Sequence, residues 1–239
     1  MDLLALLLPA WAGGKWHLQQ LDTISDLAHQ HFLAKNGARE ESLALSREAL
    51  RSSANAIRAV HRGEFVRAQE LLTSAGDGLQ KAATALANHP DVLYAGYVQD
   101  AQKEYAEAVA TYAIVRDEPL STPEDLSVSW QAYLNGLGEA AGELRRYILD
   151  ELRRGSVRRG EELLQAMDEI YELLVTIDYP DAMTGGLRRT TDMVRGVLER
   201  TRGDLTMALR QQELSQRLAD IEKRTAGTRA DDTDQIQQE

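Results

Sequence analysis

A helical pattern of apolar residues runs almost without interruption from about residue 17 to residue 224. The chain has only five prolines, and Ala, Leu, Glu, Arg and Gln, which favour helices, dominate it. The apolar residues recur at the three- and four-residue spacing of amphipathic helices. This pattern predicts an all-α fold in which the apolar stripes are buried between helices.

Glycine, proline and capping residues divide the pattern into seven predicted helices. They span about 18–33, 41–61, 64–87, 91 to the RDEPLSTPED break, 123–154, 157–176 and 181–224, the last with an irregular turn at Gly185-Gly186. We find no repeat and no long linker, so we predict one domain over residues 17–224. Residues 1–16 form an N-terminal extension, and the tail at 225–239 is expected to be disordered because it lacks an apolar anchor.

Charge and cysteine content exclude several classes of function. The formal charge of −11 argues against a generic electrostatic nucleic-acid binder. Arginine clusters at 145–159 and 187–202 could form a local basic patch or a solvated face paired with glutamates. The absence of cysteine excludes disulfides, thiolate zinc sites and cysteine nucleophiles. It is consistent with a reducing compartment, and we expect a cytoplasmic protein.

The N-terminal segment MDLLALLLPAWAGG contains an apolar run over residues 3–9. This run is far too short to cross a bilayer. Asp2 stands where a secretory signal carries positive charge. We therefore expect an amphipathic or disordered extension and no association with membranes.

Carboxylates are the candidate catalytic groups that remain once other catalytic motifs are excluded. The chain has no glycine-rich phosphate loop, no GxSxG, no HExxH and no dinucleotide fingerprint. Of five histidines, only His29 and His31 are close, and a spacing of two points them to different helix faces. A histidine metal site is not expected, and the histidines are interpreted as partly exposed helix residues.

Two pairs of glutamates have helical spacing. Glu104 and Glu107 in KEYAEA are three residues apart, and Glu139 and Glu143 in GLGEAAGELRR are four apart, so each pair shares a helix face. If the two faces meet, four carboxylates converge on one volume, as hard cations such as Mg²⁺ or Mn²⁺ require. Such a cluster could hold metals that activate water for phosphodiester cleavage.

A solvated surface is the alternative interpretation of these pairs. On the helical wheel the second pair lies opposite the apolar stripe of its helix, which favours exposure to solvent. The surrounding glycines, Gly136, Gly138 and Gly142, argue against this, because each costs roughly 1 kcal/mol relative to alanine in a helix interior. They indicate that something packs or binds closely there.

Four segments carry a family resemblance: RSSANAIRAVHRGEFVRAQELL, NHPDVLYAGYVQDAQKEYAEA, GLGEAAGELRR and DYPDAMTGGLRRTTDMVRGVLERTRGDLT. In this order and spacing they resemble the translin superfamily. The sequence is most similar to archaeal-type and other prokaryotic members related to translin-associated factor X (TRAX). The similarity covers about residues 40–222, nearly the whole predicted bundle.

The resemblance implies a seven-helix translin-like bundle that assembles into a closed, barrel-like homo-oligomer, commonly an octamer. It also implies binding of single-stranded or short structured RNA, with single-stranded DNA as an alternative. In the TRAX branch it implies a Mg²⁺-dependent endoribonuclease, with Mn²⁺ as a second candidate cation. The acidic motif positions fall on Glu104, Glu107, Glu139 and Glu143, which would bind metal. Glu139 departs from the family's more common aspartate, which alters the metal geometry.

A basic face on the second predicted helix is the candidate nucleic-acid surface. Its residues are Arg47, Arg51, Arg58, His61 and Arg62. Phosphate contacts there would give salt-dependent, largely sequence-independent binding, whereas the alternative is pairing with Glu41, Glu48 and neighbouring helices. Three hypotheses follow: a metal-dependent endoribonuclease, a non-catalytic RNA- or DNA-binding shell resembling translin, and a helical scaffold without nucleic-acid function.

Overall fold

The computed structural model describes the backbone of residues 16–94 and 96–236 and the side chains of residues 20–94 and 96–222. Within these ranges all regular secondary structure is helical, which confirms the all-α prediction. The helices are α1 (Trp16–His61), α2 (Phe65–Ala85), α3 (Pro90–Leu93), α4 (Gly96–Arg116), α5 (Pro123–Leu126), α6 (Trp130–Arg153), α7 (Val157–Val175), α8 (Asp181–Thr184) and α9 (Leu187–Ile236). Six are long and three are single turns.

Helix α6 lies at the centre of the bundle and packs against α4, α7 and α9, while α1 packs against α2 and α4. The larger core cluster is built around the apolar residues of α6 and α7, including Leu144, Ile148 and Met167, which are fully buried. A second cluster joins α1, α2 and α4. Because α4 and α6 both contribute to the larger core and pack against each other, their facing sides are held at close range.

The predicted break at the KNG turn is wrong, because α1 passes through it as one helix. Gly37 has open space around it, so its cost is only that of a glycine in a helix, roughly 1 kcal/mol. Tertiary contacts hold the helix on both sides of it. Lys35 pairs with Asp91, and the Ser42 and Tyr97 hydroxyls are 2.7 Å apart. Contacts that no local pattern shows therefore outweigh the turn signal.

The predicted helix at 123–154 is two helices. Thr122 caps the first as expected, since its hydroxyl accepts a bond from the Asp125 amide and the Asp125 carboxylate accepts one from the Thr122 amide. Ser127 then adopts a left-handed φ of 53°, which ends α5. Ser129 caps α6, whose Ala132 amide donates to the Ser129 hydroxyl. The second N-cap, Ser129, therefore starts a separate helix, α6.

The last helix begins and ends differently from its prediction. The irregular turn at Gly185-Gly186 is confirmed, with φ of 63° and 84°, and it separates the single turn α8 from α9. Helix α9 continues past Arg224 to Ile236, so the described backbone is helical at residues 225–236, where the sequence predicted a disordered tail. The segment contains no proline and one glycine, and nothing in it stops a helix.

Two further predictions concern residues at the ends of the chain. The N-terminal extension at 1–15 and the final residues 237–239 lie outside the described residues. Among the described helices, none combines the length and apolar character needed to cross a bilayer.

Candidate metal centre between α4 and α6

Helices α4 and α6 approach each other closely at Gly136. A Cβ atom at this position would lie 2.5 Å from the Lys103 carbonyl oxygen and 2.9 Å from both the Ala106 Cβ and the Glu107 backbone nitrogen. These separations are well inside van der Waals contact, so a side chain here requires α4 to move. The glycine therefore allows the approach that brings the acidic residues of the two helices together.

Three of the four predicted metal ligands meet at this contact. One carboxylate oxygen from each of Glu104, Glu107 and Glu139 lies within 4.8 Å of the other two, and all three residues are partly buried. We call these residues the carboxylate cluster. Three converging carboxylate oxygens are a donor set that suits Mg²⁺ or Mn²⁺, which prefer hard oxygen ligands. The residues present therefore fit the implied cation.

Burial and mutual repulsion make the carboxylate cluster unfavourable when all three groups are charged. Burial is the largest cause that raises the pKa of Glu107 from 4.5 to about 8, and the charges of Glu104, Glu139 and Glu143 add to it. Burial also raises the pKa of Glu104, although the Lys103 ammonium opposes this effect. A bound divalent cation would relieve the same repulsion, because it supplies the missing positive charge.

Lys103 supplies positive charge to the carboxylate cluster from within the protein. Its Nζ donates to Glu139 Oε1 at 2.7 Å and lies 3.9 Å from Glu104 Oε1. Burial acts to lower the lysine pKa, but the hydrogen bond to Glu139 and the charges of Glu139, Glu104 and Asp100 together raise it. Lys103 therefore stays charged and partly neutralises two of the three carboxylates.

Glu143 is near the carboxylate cluster but is bound to another partner. Its Oε2 lies 2.5 Å from His61 Nε2 and 3.7 Å from an Arg146 guanidinium nitrogen. The hydrogen bond with His61 outweighs burial and lowers the pKa of Glu143. The structure thus places the fourth predicted ligand beside the cluster, in an ion pair, and leaves three carboxylates facing one another.

His61 corrects two predictions from the sequence. Only 5% of its side chain is exposed, so it is neither a partly exposed helix residue nor part of the exposed basic face. On α1 it lies at the border between the buried side of the helix and the arginines. The approach of α6 covers it, and the Glu143 carboxylate satisfies its Nε2. A single helix pattern does not reveal such a partner 82 residues away.

Replacing His61 with alanine is expected to lower the free energy of unfolding by about 1 to 2 kcal/mol. The partly buried Glu143 carboxylate then loses its closest donor, and an unpaired polar group in such a site costs about this much. Urea unfolding followed by circular dichroism measures the change. His29→Ala is the matched control, because His29 is exposed on the same helix. An equal loss in both variants would contradict a special role for the His61–Glu143 pair.

The second acidic pair is only partly exposed in the structure, and two of the three neighbouring glycines face other helices. Glu139 and Glu143 are about 30% and 26% exposed, so neither is a fully solvated surface group. The helical wheel predicted a single buried face on α6, and this prediction was wrong because three helices pack around α6. Gly136 faces α4, and Gly138 faces α9, where a Cβ would overlap the methyl group of Thr190. Gly142 has open space around it, and nothing in the structure explains it.

The four arginines of the predicted nucleic-acid surface are exposed, three of them on α1 and Arg62 directly after its end. Arg62 is bound by both Glu64 carboxylate oxygens, and Arg58 donates to the Asn55 side chain. Arg47 and Arg51 form no ion pair with any residue whose side chain the structure describes. The predicted pairing with Glu41 and Glu48 is therefore not observed, and nucleic-acid binding by this surface stays a prediction.

Sequence reasoning missed two parts of this site. Lys103 precedes Glu104 and is four residues from Glu107, a spacing at which opposite charges interact on a helix. That spacing could have identified it. The interaction of His61 with Glu143 has no local signal, because it depends on how α1 packs across α6.

The chain is similar to known proteins in both sequence and structure. No protein-family model matches the chain. The uncharacterized protein MJ0175 of Methanocaldococcus jannaschii is 31% identical over 193 residues, which cover 79% of this chain and 84% of that protein. The AfC3PO–duplex RNA complex is 34% identical with a TM-score of 0.72, and the AfC3PO crystal structure is 34% identical with a TM-score of 0.71. Both cover 77% of this chain and 95% of the AfC3PO chain.

A more distant structure shares the fold. The apo-NeC3PO chain is 20% identical with a TM-score of 0.69, and the match covers 77% of this chain and 96% of that one. The fold and the site define an all-α protein with a carboxylate cluster suited to a divalent cation. The extent and identity of the matches to MJ0175 and AfC3PO show that the chain belongs to the translin superfamily.

Proposed function

We propose that this protein binds RNA and cleaves it as a metal-dependent endoribonuclease of the TRAX type. The observation that carries the proposal is the convergence of Glu104, Glu107 and Glu139 within 4.8 Å in a partly buried site. Burial, together with the charges of the neighbouring carboxylates, raises the pKa of Glu107 to about 8, which does not happen on an exposed acidic surface. The cost of assembling these charges favours a site that receives a cation.

The residues of the site would divide the work. Glu104, Glu107 and Glu139 would hold Mg²⁺ or Mn²⁺, and Glu143 would stay oriented by His61 beside them. When bound, such a cation supplies Lewis-acid polarisation of a phosphodiester and lowers the pKa of water. Lys103 pairs with Glu139. Once a bound cation neutralises Glu139 instead, the Lys103 ammonium would be free to contact a substrate phosphate. The Glu139 side chain is one methylene longer than aspartate, and we propose that the site is active with glutamate at this position.

Single-stranded or loop RNA is the proposed substrate, and single-stranded DNA is a second ligand to be tested. The relative AfC3PO is known as a complex with duplex RNA, which supports RNA as the ligand class. The exposed arginines of α1 supply positive charge that the protein does not neutralise at Arg47 and Arg51 within its described side chains. Phosphate contacts at these residues would bind RNA without regard to sequence.

A closed, barrel-like homo-oligomer, an octamer, is the proposed assembly. It is supported by membership of the translin superfamily and by the structural similarity to AfC3PO. Such a shell reconciles RNA binding with a net charge of −11 if the arginines face inward and the acidic residues face outward. Multi-angle light scattering on the purified protein tests the subunit number directly. A monomer at micromolar concentration would contradict the assembly.

The double variant with Arg47→Gln and Arg51→Gln is expected to bind RNA less tightly and with a weaker dependence on salt. Each lost phosphate contact lowers the slope of log K against log salt by about 0.7 for a single strand, so two lower it by roughly 1.4. Fluorescence anisotropy over a salt series measures both effects. The control is Arg195→Gln, because Arg195 is paired with Glu199 on α9. An unchanged slope would remove these arginines from the RNA surface.

A non-catalytic RNA- or DNA-binding shell is the second candidate, and one observation favours it. Glu143 is engaged by His61, so three carboxylates converge where the resemblance implies four. Incubation of labelled single-stranded RNA with the purified protein, with Mg²⁺ and with EDTA, separates the candidates. Cleavage in Mg²⁺ alone supports the endoribonuclease. Binding without cleavage in Mg²⁺ and Mn²⁺ supports the shell, and no salt-dependent binding supports a scaffold.

A further inference from the structure

A polar cleft of about 300 Å³ opens beside the carboxylate cluster, between α4, α6 and the corner that joins α8 to α9. It shares Glu139 with the cluster and is also lined by Lys103, the partner of Glu139, so anything bound in the cleft lies next to the proposed cation. Gln99 and Gln131 line the same space. The volume is at the small end of ligand sites in proteins, and it suits one nucleotide.

The far wall of the cleft is fixed to α6 by one buried side chain. Asn135 Nδ2 donates to the Thr184 carbonyl at 2.9 Å and to the Gln131 carbonyl at 2.8 Å, and its Oδ1 accepts from the Thr190 hydroxyl at 2.6 Å. Asn135 lies one helical turn before Glu139 on α6. The first turn of α9 is therefore held at a defined position relative to the carboxylate cluster.

Arg189 lies on this first turn and lines the cleft. It is exposed, and its guanidinium forms no hydrogen bond or ion pair with any residue whose side chain the structure describes. Its neighbour Arg188 lies outside the cleft and donates to Asp178 at 3.1 Å. Lys103, the other cation of the cleft, is bound to Glu139. Arg189 is thus a cation fixed at the cleft with its guanidinium available for a ligand.

The net charge of the cleft affects its ability to bind an anion, with and without a divalent cation nearby. The charged residues that line it are Asp100, Glu139 and Asp181, and the cations Lys103 and Arg189. The excess of one negative charge opposes a phosphate group, and a divalent cation at the neighbouring carboxylate cluster would weaken that opposition. A planar guanidinium binds phosphate through two parallel hydrogen bonds, which a lysine does not do.

We propose that Arg189 binds a phosphate of the RNA, holding in this cleft the nucleotide that adjoins the phosphodiester at the carboxylate cluster. The inference rests on the proposed RNA binding. The amides of Gln99 and Gln131 offer both donors and acceptors to the base edge, as single-stranded RNA recognition requires. Arg189 is therefore a substrate-binding residue, and its contribution depends on a bound divalent cation.

The test compares Arg189→Gln with the matched control Arg188→Gln in the full chain. Affinity for a labelled single-stranded RNA is measured by anisotropy in Ca²⁺ and in EDTA, with intact RNA verified on a gel. Loss of a charged hydrogen bond to phosphate is expected to weaken binding about 10-fold in Ca²⁺. Arg188→Gln is expected to stay within about twofold of the wild type, and Arg189→Lys to recover part of the loss.

Kinetics separate this inference from the proposed nuclease activity. With Mg²⁺, Arg189→Gln is expected to raise KM and leave kcat close to the wild-type value, the pattern of a lost binding contact. If the wild type does not cleave RNA but Arg189→Gln still binds it more weakly, the nuclease proposal fails and this inference stands. If the wild type cleaves and both arginine variants match it in affinity and KM, this inference is overturned.

Discussion

Replacing Glu107 with glutamine is expected to reduce metal-dependent RNA cleavage by more than about 100-fold. Loss of groups that only support a metal ligand already costs roughly 10- to 100-fold, and Glu107 would be a direct ligand. Glutamine has nearly the same shape but brings no negative charge. Since Glu107 lies on α4 and not among the arginines of α1, binding of RNA without metal is expected to persist.

Single-turnover cleavage of labelled RNA in Mg²⁺ measures this effect, and light scattering verifies the assembly. Glu172→Gln is the matched control, because Glu172 is exposed on α7 and away from the carboxylate cluster. The control is expected to cleave like the wild type. Undiminished metal-dependent cleavage by the Glu107 variant would remove this residue from the active site.

The same variant is expected to change how stability depends on pH. The pKa of Glu107 is about 8 in the folded protein, against 4.5 ordinarily, so between these values the folded state binds more protons than the unfolded state. The free energy of unfolding therefore falls as pH rises from about 4.5 to 8, by at most a few kcal/mol. Glutamine removes this decline. Thermal unfolding at several pH values compares the two proteins, and Mg²⁺ is expected to stabilise the wild type most at high pH.

Gly136→Ala is expected to destabilise the fold by about 3 kcal/mol and to abolish the cation-dependent stabilisation. Its Cβ would meet two backbone atoms of α4, at 2.5 Å from the Lys103 oxygen and 2.9 Å from the Glu107 nitrogen. Backbone of a packed helix yields less readily than a flexible side chain, and overpacking costs about this much. Moving α4 away also separates Glu139 from Glu104 and Glu107.

Gly142→Ala is the matched control on the same helix. Nothing lies within 4 Å of a Cβ at Gly142, so alanine there is expected to stabilise the helix by up to about 1 kcal/mol. In a domain of this size each kcal/mol moves the Tm by about 2 to 4 °C, which calorimetry resolves. The two variants should therefore shift the Tm in opposite directions. Similar shifts would mean that Gly136 does not set the distance between α4 and α6.

The all-α fold and most helix positions could be predicted because they depend on local properties. Proline, glycine and capping residues act within a few residues, and α2 and α7 begin within one residue of their predicted starts, whereas the predicted fourth helix is divided into α3 and α4. Gly37 misled the prediction because its cost is small and the contacts that hold α1 together come from distant residues. Ser129 was missed as a cap because Thr122 and Pro123 give a stronger signal a few residues earlier.

The candidate site, too, could be predicted only in part from the sequence. Spacing along the helix places Glu104 and Glu107 on one face, and the cost of a glycine inside a helix already indicates close packing at Gly136. The family resemblance predicted that α6 supplies the other carboxylates. Neither source predicted that Lys103 neutralises part of the cluster or that His61 binds Glu143.

The sequence by itself determined most helix positions, the shared face of Glu104 and Glu107 and the position where two helices could come close. The tertiary structure decided which neighbour each carboxylate faces: Glu139 joins the pair on α4, while Glu143 turns to His61 on α1. Helical periodicity fixes the angle of a side chain about its own helix axis. It does not fix which helix packs against that angle, because this depends on the fit of whole faces across the bundle.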